Sequence, residues 1–273
     1  MDGGWGYFCG KESGVEPTSY ALRVIGAGDD AWERGIAFLL ARQEKDGGMA
    51  PRVGVSGSTW VTSLAFPLLK KAGVAAKTLE QAGNWILNTE GAEKGGLMDR
   101  FLLARGKADV EQDPRLKGWP WKPGNYSWVE PTAHGLMALR TMEGLVPEAG
   151  IRYRRQVATK MLMDRRCEDA GWNYGNRKVL GEVLPGYPET TALALLGLAG
   201  SGEELSKSLA AAAGLYSGTK GAYGRALLSL ALGAHGRAVA YETLTEAAHP
   251  SGNTMLAAIE VLAARSEGKG LMA

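Results

Sequence analysis

The chain has 273 residues, of which 45% are hydrophobic and 22% charged, and its formal net charge is +2. This composition indicates a globular protein with a sizeable core, and the small net charge without a clustered Lys/Arg stripe argues against nucleic-acid binding. Cys9 and Cys167 show no metal-ligand spacing and predict neither a disulfide framework nor a zinc site. Since no apolar run has the length of a bilayer span, we expect a cytoplasmic protein with at most peripheral membrane contact.

Apolar and amphipathic segments of helical length alternate along the chain. The first segment, 17–25, is short and apolar, whereas the second, 31–45, follows a pair of aspartates and has one polar face. Further apolar segments lie at 58–69, 131–142, 188–198, 222–232 and 254–264, and amphipathic ones at 78–88, 152–164, 203–216 and 241–248. The sequence contains no alternating Val/Ile/Thr run, so no strand is predicted. The sequence therefore predicts an all-α protein of eleven to twelve helices.

The alternation of the two helix types predicts two layers. Helices covered on most sides become apolar nearly all round, while outer helices keep one polar face. Closing the double layer gives a single α/α toroid over residues 1–273, built from about five to six helical hairpins and interrupted by a long loop at about 91–125. The inner helices would then begin around the mouth of a central cavity, which is the expected binding site.

A Gly-aromatic loop recurs before the apolar helices. Eleven residues separate Trp119 from Glu130, as they separate Trp5 from Glu16, and each glutamate precedes Pro-Thr. A looser copy runs from 170 to 191, where Pro and Glu are exchanged, and a degenerate copy runs from 46 to 60. Proline suits the first helical position, and a carboxylate there gains about 0.3 to 1 kcal/mol from the helix dipole. The simplest interpretation of both glutamates is therefore helix capping.

Residues 34–49 resemble the QW repeat of squalene-hopene and oxidosqualene cyclases. The segment has the basic residue, the glycine, the aromatic and aliphatic positions, Gln43 and Gly-Gly, with Met49 where the family has Trp. Weaker versions lie at 81–91 and 160–174. The resemblance covers nearly the whole chain and implies the α/α-toroid fold of the squalene cyclase and protein prenyltransferase superfamily.

Residues 128–133, Trp-Val-Glu-Pro-Thr-Ala, resemble the Asp-x-Asp-Asp-Thr-Ala motif with which class II cyclases protonate a polyene. In register, the resemblance implies that Glu130 is the proton donor, while Trp128 and Pro131 replace other acidic or Cys positions. A lone glutamate suits the opening of an epoxide or the protonation of an activated alkene better than protonation of an isolated alkene. The zinc-binding cysteine of the prenyltransferases has no counterpart at 188–190, so we expect neither a metal nor a cofactor.

His134 and a set of aromatic residues complete the candidate site. His134 follows Glu130 by one helical turn, so the two could form an acid/base dyad, or His134 could simply be hydrogen-bonded. Aromatic rings could stabilise a carbocation through their π faces or pack between loop and helix. The predicted substrate-binding residues are Trp60, Trp119, Trp121, Tyr126, Trp128, Tyr187 and Glu189. A Glu130–Glu189 carboxylate pair would also suit polysaccharide hydrolysis or lysis, although the repeats do not resemble those families.

Two functions follow from these patterns. The first is an atypical single-domain class II terpenoid cyclase-like protein, an isomerase or lyase, which acts on an isoprenoid by acid-initiated cyclisation. The second is a non-catalytic α/α toroid that binds a lipid or a protein partner at its rim. Squalene cyclases use two such domains and the prenyltransferase toroid works with a second subunit. A partner subunit or a homodimer could therefore cover the open mouth here.

Overall fold

The computed structural model describes residues 2–93, 105, 112–241 and 252–265. These residues form ten helices and one short β-hairpin, which confirms the all-α class. The elements are α1 Val15–Ile25, α2 Asp30–Leu40, α3 Val61–Lys71, α4 Ala76–Asn88, α5 Val129–Leu139, α6 Glu148–Asp164, β1 Lys178–Val179, β2 Glu182–Val183, α7 Pro188–Leu198, α8 Ser206–Gly218, α9 Ala222–Ala234 and α10 Thr254–Arg265.

The hairpin is a correction, because no strand was predicted. Strands β1 and β2 pair antiparallel around Leu180 and Gly181, whose φ angles are 50° and 85°. Positive φ at both central residues is typical of the tight hairpin turn whose twist matches that of the strands. With two residues in each strand, the hairpin is too short to show the alternation by which strands are recognised.

Helix boundaries differ from the prediction where hydrogen bonds decide them. The Asp29 side chain accepts from the Ala31 N–H at 2.7 Å and starts α2, as the aspartate pair predicted. This helix ends at Leu40 rather than at residue 45, because the Gln43 amide donates to the Gly47 and Thr78 carbonyls and turns the chain. The helix predicted at 241–248, apart from its first residue, lies outside the described residues, as do residues 94–104 and 106–111 of the predicted loop at 91–125.

Helix contacts follow a cyclic order. Helix α1 contacts α3, α3 contacts α5, α5 contacts α7, α7 contacts α9, α9 contacts α10, and α10 contacts α1. The remaining described helices pack outside this cycle: α2 against α1 and α3, α4 against α3, α6 against α5, and α8 against α7 and α9. An α/α toroid would have this order of contacts, and the closed toroid itself stays a prediction.

Burial distinguishes the two layers as expected from their sequences. In α7 every residue from Thr190 to Leu198 is buried, and in α5 only Glu130 keeps appreciable exposure. The outer helix α4 buries one face, formed by Leu79, Ala82, Gly83, Trp85 and Ile86. Apolar inner helices and amphipathic outer helices are therefore confirmed for these elements. The candidate site residues Glu130 and Glu189 lie in the first turns of two of these inner helices, α5 and α7.

Candidate functional site

Four loops are attached to four inner helices by the same hydrogen bond. A loop N–H donates to a threonine hydroxyl in the first turn of the next inner helix. The pairs are Trp5 N to Thr18 Oγ1 at 2.8 Å, Met49 N to Thr62 Oγ1 at 2.8 Å, Trp119 N to Thr132 Oγ1 at 3.0 Å and Trp172 N to Thr191 Oγ1 at 2.9 Å. We call these bonds the threonine locks. Each satisfies a loop N–H and sets the rotation of the helix about its axis.

The threonine locks define which residues are equivalent between repeats. Two positions before the four threonines stand Glu16, Trp60, Glu130 and Glu189. In the third copy, Glu189 therefore corresponds directly to Glu130, and the exchange of Pro and Glu inferred from the sequence is wrong. In the degenerate copy, Trp60 occupies the place of the glutamate. Three carboxyl groups and one indole thus start the four inner helices in the same orientation.

Glu130 is affected electrostatically by the other two glutamates. Burial raises the pKa of Glu130 to about 8, and the charges of Glu16 and Glu189 add to this effect. Burial also raises the pKa of Glu16, although the Tyr7 hydroxyl donates a hydrogen bond to its Oε2 atom. All three glutamates are nevertheless only half-buried. The carboxyl groups therefore combine partial burial with remaining accessible surface.

None of these carboxylates caps its own helix through a hydrogen bond. The N-cap residues of α1, α5 and α7 are Gly14, Trp128 and Tyr187, and none makes a side-chain capping bond. Within the described part of the chain, no helix N–H donates to Glu16, Glu130 or Glu189. Their place in the first turn still suits the helix dipole. Glu16 and Glu130 therefore stand in the first helical turn, as the sequence predicted, without a hydrogen bond from a helix N–H among the described residues.

Tyr20 and His134 lie one helical turn deeper, four residues after Glu16 and Glu130. Tyr20 is 0% exposed and His134 is 1% exposed. The Tyr20 hydroxyl and His134 Nε2 have no hydrogen-bond partner among the described residues. Burial, together with the charge of Arg23, lowers the pKa of His134 to about 3, so the imidazole is neutral at physiological pH.

The predicted Glu130–His134 dyad is not a direct hydrogen-bonded pair in the described structure. The His134 ring instead contacts the Trp60 ring, with centroids 5.2 Å apart. Trp60 also makes an edge-to-face contact with Trp121, with centroids 5.1 Å apart and an interplanar angle of 88°. Such geometry is favoured by the aromatic quadrupoles. Trp60, Trp121 and His134 thus form one aromatic cluster, centred on the residue that takes the glutamate position in its repeat.

Trp119 packs in the scaffold rather than beside Glu130. The side chain is 1% exposed, its Nε1 donates to the Ile86 carbonyl at 2.8 Å, and the Arg154 guanidinium lies 4.1 Å from its ring centroid. A Cβ atom at Gly135 would lie 2.4 Å from this ring, which explains the glycine there. Trp172 repeats the arrangement through a 2.6 Å bond to the Leu162 carbonyl. These indoles join loops to outer helices.

The other predicted aromatic residues are more exposed. Tyr126 is 55% exposed and Tyr187 is 38% exposed. Tyr187 stacks on Tyr174, with ring centroids 5.6 Å apart. Trp128 is half-buried at the start of α5, directly before the turn that carries Glu130. Their role in substrate binding stays a prediction.

Several residues near Glu130 and His134 were not predicted as site residues from the sequence. Tyr223 of α9 has a raised pKa because of burial and the nearby Tyr20, Glu130, Glu16 and Glu189. Arg23 donates from Nη2 to the Leu64 carbonyl at 3.0 Å. The register of the repeats could have revealed Glu16 and Tyr20, since they match Glu130 and His134. Tyr223 follows no Gly-aromatic loop, so no sequence signal pointed to it.

We define the inner site as the group connected by these contacts and couplings: Tyr7, Glu16, Tyr20, Arg23, Trp60, Trp121, Glu130, His134, Glu189 and Tyr223. The site combines a neutral carboxylic acid, further carboxyl groups, a neutral imidazole and aromatic faces. Such a set can donate a proton and stabilise positive charge.

No group of three His, Cys, Asp or Glu residues in the described ranges is arranged to hold a metal ion. Across the same ranges, the structure contains no helix with the length and apolar character of a membrane span.

Comparison with known proteins gives structural similarity only at a low level. A type II terpene cyclase from Scytonema, in complex with its substrate geranylgeranyl dihydroxybenzoate, is 16% identical with a TM-score of 0.42; the match covers 78% of this chain and 56% of that one. A protein from Actinoplanes is 16% identical with a TM-score of 0.40, and the match covers 98% of this chain and 94% of that one. No protein-family model and no curated protein matches the chain. Similarity at this level carries no argument about activity.

Proposed function

We propose that the protein is an atypical class II terpenoid cyclase-like enzyme that acts on an isoprenoid by acid-initiated cyclisation, with Glu130 as the proton donor. The observation that carries this proposal is the pKa of Glu130, which burial and two neighbouring carboxyl groups raise to about 8. The carboxyl group is therefore protonated at neutral pH, as a general acid must be. The Glu130 side chain is also only half-buried, so part of its surface stays accessible.

The strength of this acid favours an activated substrate. A carboxylic acid with a pKa of about 8 is a weak proton donor, so an epoxide or an activated alkene is a better acceptor than an isolated double bond. Proton transfer to an epoxide oxygen breaks one C–O bond, leaves a hydroxyl group and places positive charge on carbon. A double bond of the same chain attacks that carbon, and loss of a proton from the cyclised cation completes an isomerisation.

The surroundings of Glu130 suit the charge that develops in this reaction. The Trp60 and Trp121 rings offer π faces to a carbocation, and the carboxyl groups of Glu16 and Glu189 favour positive charge in the interior. The His134 imidazole is neutral, so it adds no repulsion. A partner subunit or a second copy of the chain over the mouth would further exclude water, which competes for carbocations.

The test compares wild type with Glu130→Gln on squalene, oxidosqualene and prenyl diphosphates, with products identified by gas chromatography and mass spectrometry. Glutamine has nearly the same shape but no acidic proton, so we expect product formation to fall by about 10²- to 10⁴-fold. Glu203→Gln, at an exposed position, is the matched control and should keep full activity.

Two results would contradict the proposal. One is an equal rate of cyclisation by the Glu130→Gln variant, since the proton would then come from another group. The other is the absence of cyclised product from every substrate at any pH. Isoprenoid binding without turnover would favour the alternative, a non-catalytic toroid.

A further inference from the structure

The Gly-aromatic loop before α7 is longer than the other three. The threonine locks at Thr18, Thr62 and Thr132 each join residues 13 positions apart, whereas Trp172 and Thr191 are 19 positions apart. The additional residues hold the β1–β2 hairpin. In repeat proteins, an insertion into one repeat often lies on the binding face.

A cleft lies between this hairpin segment and two outer helices. It is lined by Arg177 and Lys178 from the hairpin segment, by Arg166 from the turn after α6 and by Lys207 from the first turn of α8. Its volume is about 460 Å³, within the range of small-molecule sites. Three separate segments of the chain thus bring four basic side chains to one cavity.

Basic groups outnumber acidic groups in this lining. Among the described residues that line the cleft, Glu168 alone carries a carboxylate, against two guanidinium and two ammonium groups. Glu204 lies near Arg166 as well, but its Oε1 atom accepts from the Ser206 N–H at 2.8 Å and so is engaged at the start of α8. Charges of one sign around a cleft concentrate their field there and attract a multiply charged anion.

Hydrogen bonds fix the backbone that carries these side chains. The Asp169 carboxylate accepts from the Gly171 N–H at 3.0 Å and from the Gly186 N–H at 2.8 Å, so it joins the two ends of the loop. The Leu184 N–H donates to the Arg177 carbonyl at 2.9 Å and closes the base of the hairpin. Because the backbone is already ordered, less conformational entropy is lost when a ligand binds.

Two non-glycine residues of this region have left-handed backbone conformations. Ala170, which lines the cleft, has a φ of 65°, and Leu180, at the tip of the hairpin, has a φ of 50°. Within the described ranges, no other residue except glycine has a positive φ. Such conformations are unfavourable and cluster at binding sites. The region therefore combines a constrained backbone with a concentration of positive charge.

We infer that this cleft binds a small hydrophilic anion with two or three linked phosphate groups, held by Arg166, Arg177, Lys178 and Lys207. Guanidinium groups bind pairs of phosphate oxygens and ammonium groups act as point charges, so the set suits several phosphate oxygens at once. The lining is mainly polar and does not suit an isoprenoid chain. None of its residues belongs to the inner site, so the cleft is a second site, separate from the proposed reaction.

Isothermal titration calorimetry with inorganic pyrophosphate at pH 7, without divalent cations, tests the inference. We expect pyrophosphate to bind at least about ten-fold more tightly than orthophosphate, because it carries more charge among the basic groups. Methyl diphosphate, titrated in parallel, distinguishes two sources of the anion. Equal binding of both diphosphates supports a phosphorylated end of a larger molecule, and binding of pyrophosphate alone supports a free inorganic anion.

The decisive variant is the double substitution Arg166→Gln and Lys207→Gln. The matched control is Arg152→Gln with Lys160→Gln, both at exposed positions of α6. Both variants lose the same charge, so a general attraction of anions to the protein would weaken equally in both. We expect the pyrophosphate affinity to fall at least about ten-fold in the first variant and less than about two-fold in the control.

Circular dichroism and thermal unfolding verify that each variant is folded. If the double variant is unfolded, the single Lys207→Gln variant replaces it, with Lys160→Gln as its control, since both side chains are exposed. Lys207→Gln should lower the pyrophosphate affinity at least about three-fold, and Lys160→Gln should leave it unchanged.

Three results would overturn the inference: no binding of pyrophosphate at millimolar concentration, binding no tighter than that of orthophosphate, or equal affinities of the cleft variant and its control. Failure of the proposed function is a separate result, because it is measured as turnover and depends on Glu130. Glu130 does not line the cleft, so Glu130→Gln should bind pyrophosphate as wild type does.

Discussion

Glu130 stands where three effects oppose its ionisation. It lies in the first turn of a buried helix, and the charges of Glu16 and Glu189 act on it from equivalent positions in neighbouring repeats. The helix dipole favours the charged form by about 0.3 to 1 kcal/mol, which is less than desolvation opposes it. The neutral form is therefore favoured, which is the form that the proposed role as proton donor requires.

The raised pKa of Glu130 predicts a dependence of stability on pH. Between its ordinary value of 4.5 and about 8, the folded protein holds a proton that the unfolded chain releases. The free energy of unfolding should therefore fall as pH rises through this window, by up to about 1.4 kcal/mol per unit for this group. Glu130→Gln removes that contribution, so the variant should match wild type near pH 5 and exceed its stability at pH 8.

Urea unfolding of both proteins at pH 5, 6.5 and 8 measures this effect. Glu203→Gln serves as the control and should follow wild type at every pH, because its side chain is exposed. Parallel curves for wild type and Glu130→Gln would show that Glu130 ionises normally. The general-acid role would then lose its support.

At the scale of elements, the threonine locks connect each loop to its helix. Thr18, Thr62, Thr132 and Thr191 are all 0% exposed, so each hydrogen bond forms away from water. Because each threonine lies two residues after the position of Glu16, Trp60, Glu130 or Glu189, the lock also sets the direction of that side chain. The Glu-Pro-Thr segment, which in the sequence resembles a catalytic motif, therefore also has a structural role through its threonine.

Thr132→Val should destabilise the protein by about 1 to 3 kcal/mol, because it leaves the buried Trp119 N–H without an acceptor. Valine has nearly the shape of threonine, so packing changes little. Thr132→Ser keeps the hydroxyl group and should recover most of the loss. Chemical unfolding measures all three proteins, and equal stability of the valine and serine variants would show that packing rather than the lock matters here.

A buried ion pair fixes the segment before Trp128. Arg165 Nη2 and Glu93 Oε1 are 3.1 Å apart, with side chains 2% and 3% exposed. Arg165 also donates to the Ser127 carbonyl at 2.9 Å, and the same Glu93 oxygen accepts from the Ser127 N–H at 2.8 Å. The pair therefore holds both backbone groups of Ser127, which lies three residues before Glu130.

Arg165→Met should cost about 3 to 5 kcal/mol of stability, because it leaves the Glu93 carboxylate buried without its partner. Adding Glu93→Gln to this variant should restore part of the loss. The pair of Arg115 and Asp113, in which the guanidinium is exposed, provides the control: Arg115→Met should change stability much less than Arg165→Met. Similar losses for Arg165→Met and Arg115→Met in urea unfolding would contradict the role assigned to burial.

At the scale of the whole molecule, the cyclic contacts make α10 a neighbour of α1 although they lie at opposite ends of the described chain. Ile259 of α10 is fully buried. Ile259→Ala should therefore lower the stability of the entire ring by about 2 to 5 kcal/mol, within a single unfolding transition.

The measurement follows the unfolding of Ile259→Ala by circular dichroism and by tryptophan fluorescence in the same urea series. The two signals should coincide, because the tryptophan residues lie outside α10, in loops and other helices that unfold together with it. Ala264→Ser, at an exposed position of α10, should leave the midpoint unchanged. Separate transitions for the two signals would show that α10 folds independently of the rest.

Much of the helical architecture was predictable from the sequence because its signals are local. Two kinds of helix were predicted from the local pattern: segments that are apolar on all sides and segments that have one polar face, separated by Gly or Pro. The structure contains both kinds, for example α7 and α4. The recurring Glu-Pro-Thr segments predicted where α1 and α5 begin, within two residues. The β1–β2 hairpin was missed because its strands have two residues each.

The amino-acid sequence by itself determined the helical class, the repeat and the presence of a glutamate at the start of α5, since these depend on periodicity and on residues close together in the chain. Only the tertiary structure decided that the charges of Glu16 and Glu189 act on Glu130, that Tyr20 and His134 are buried, and that Trp119 packs against the scaffold. Burial and electrostatic coupling depend on groups from different helices, and sequence spacing does not contain those distances.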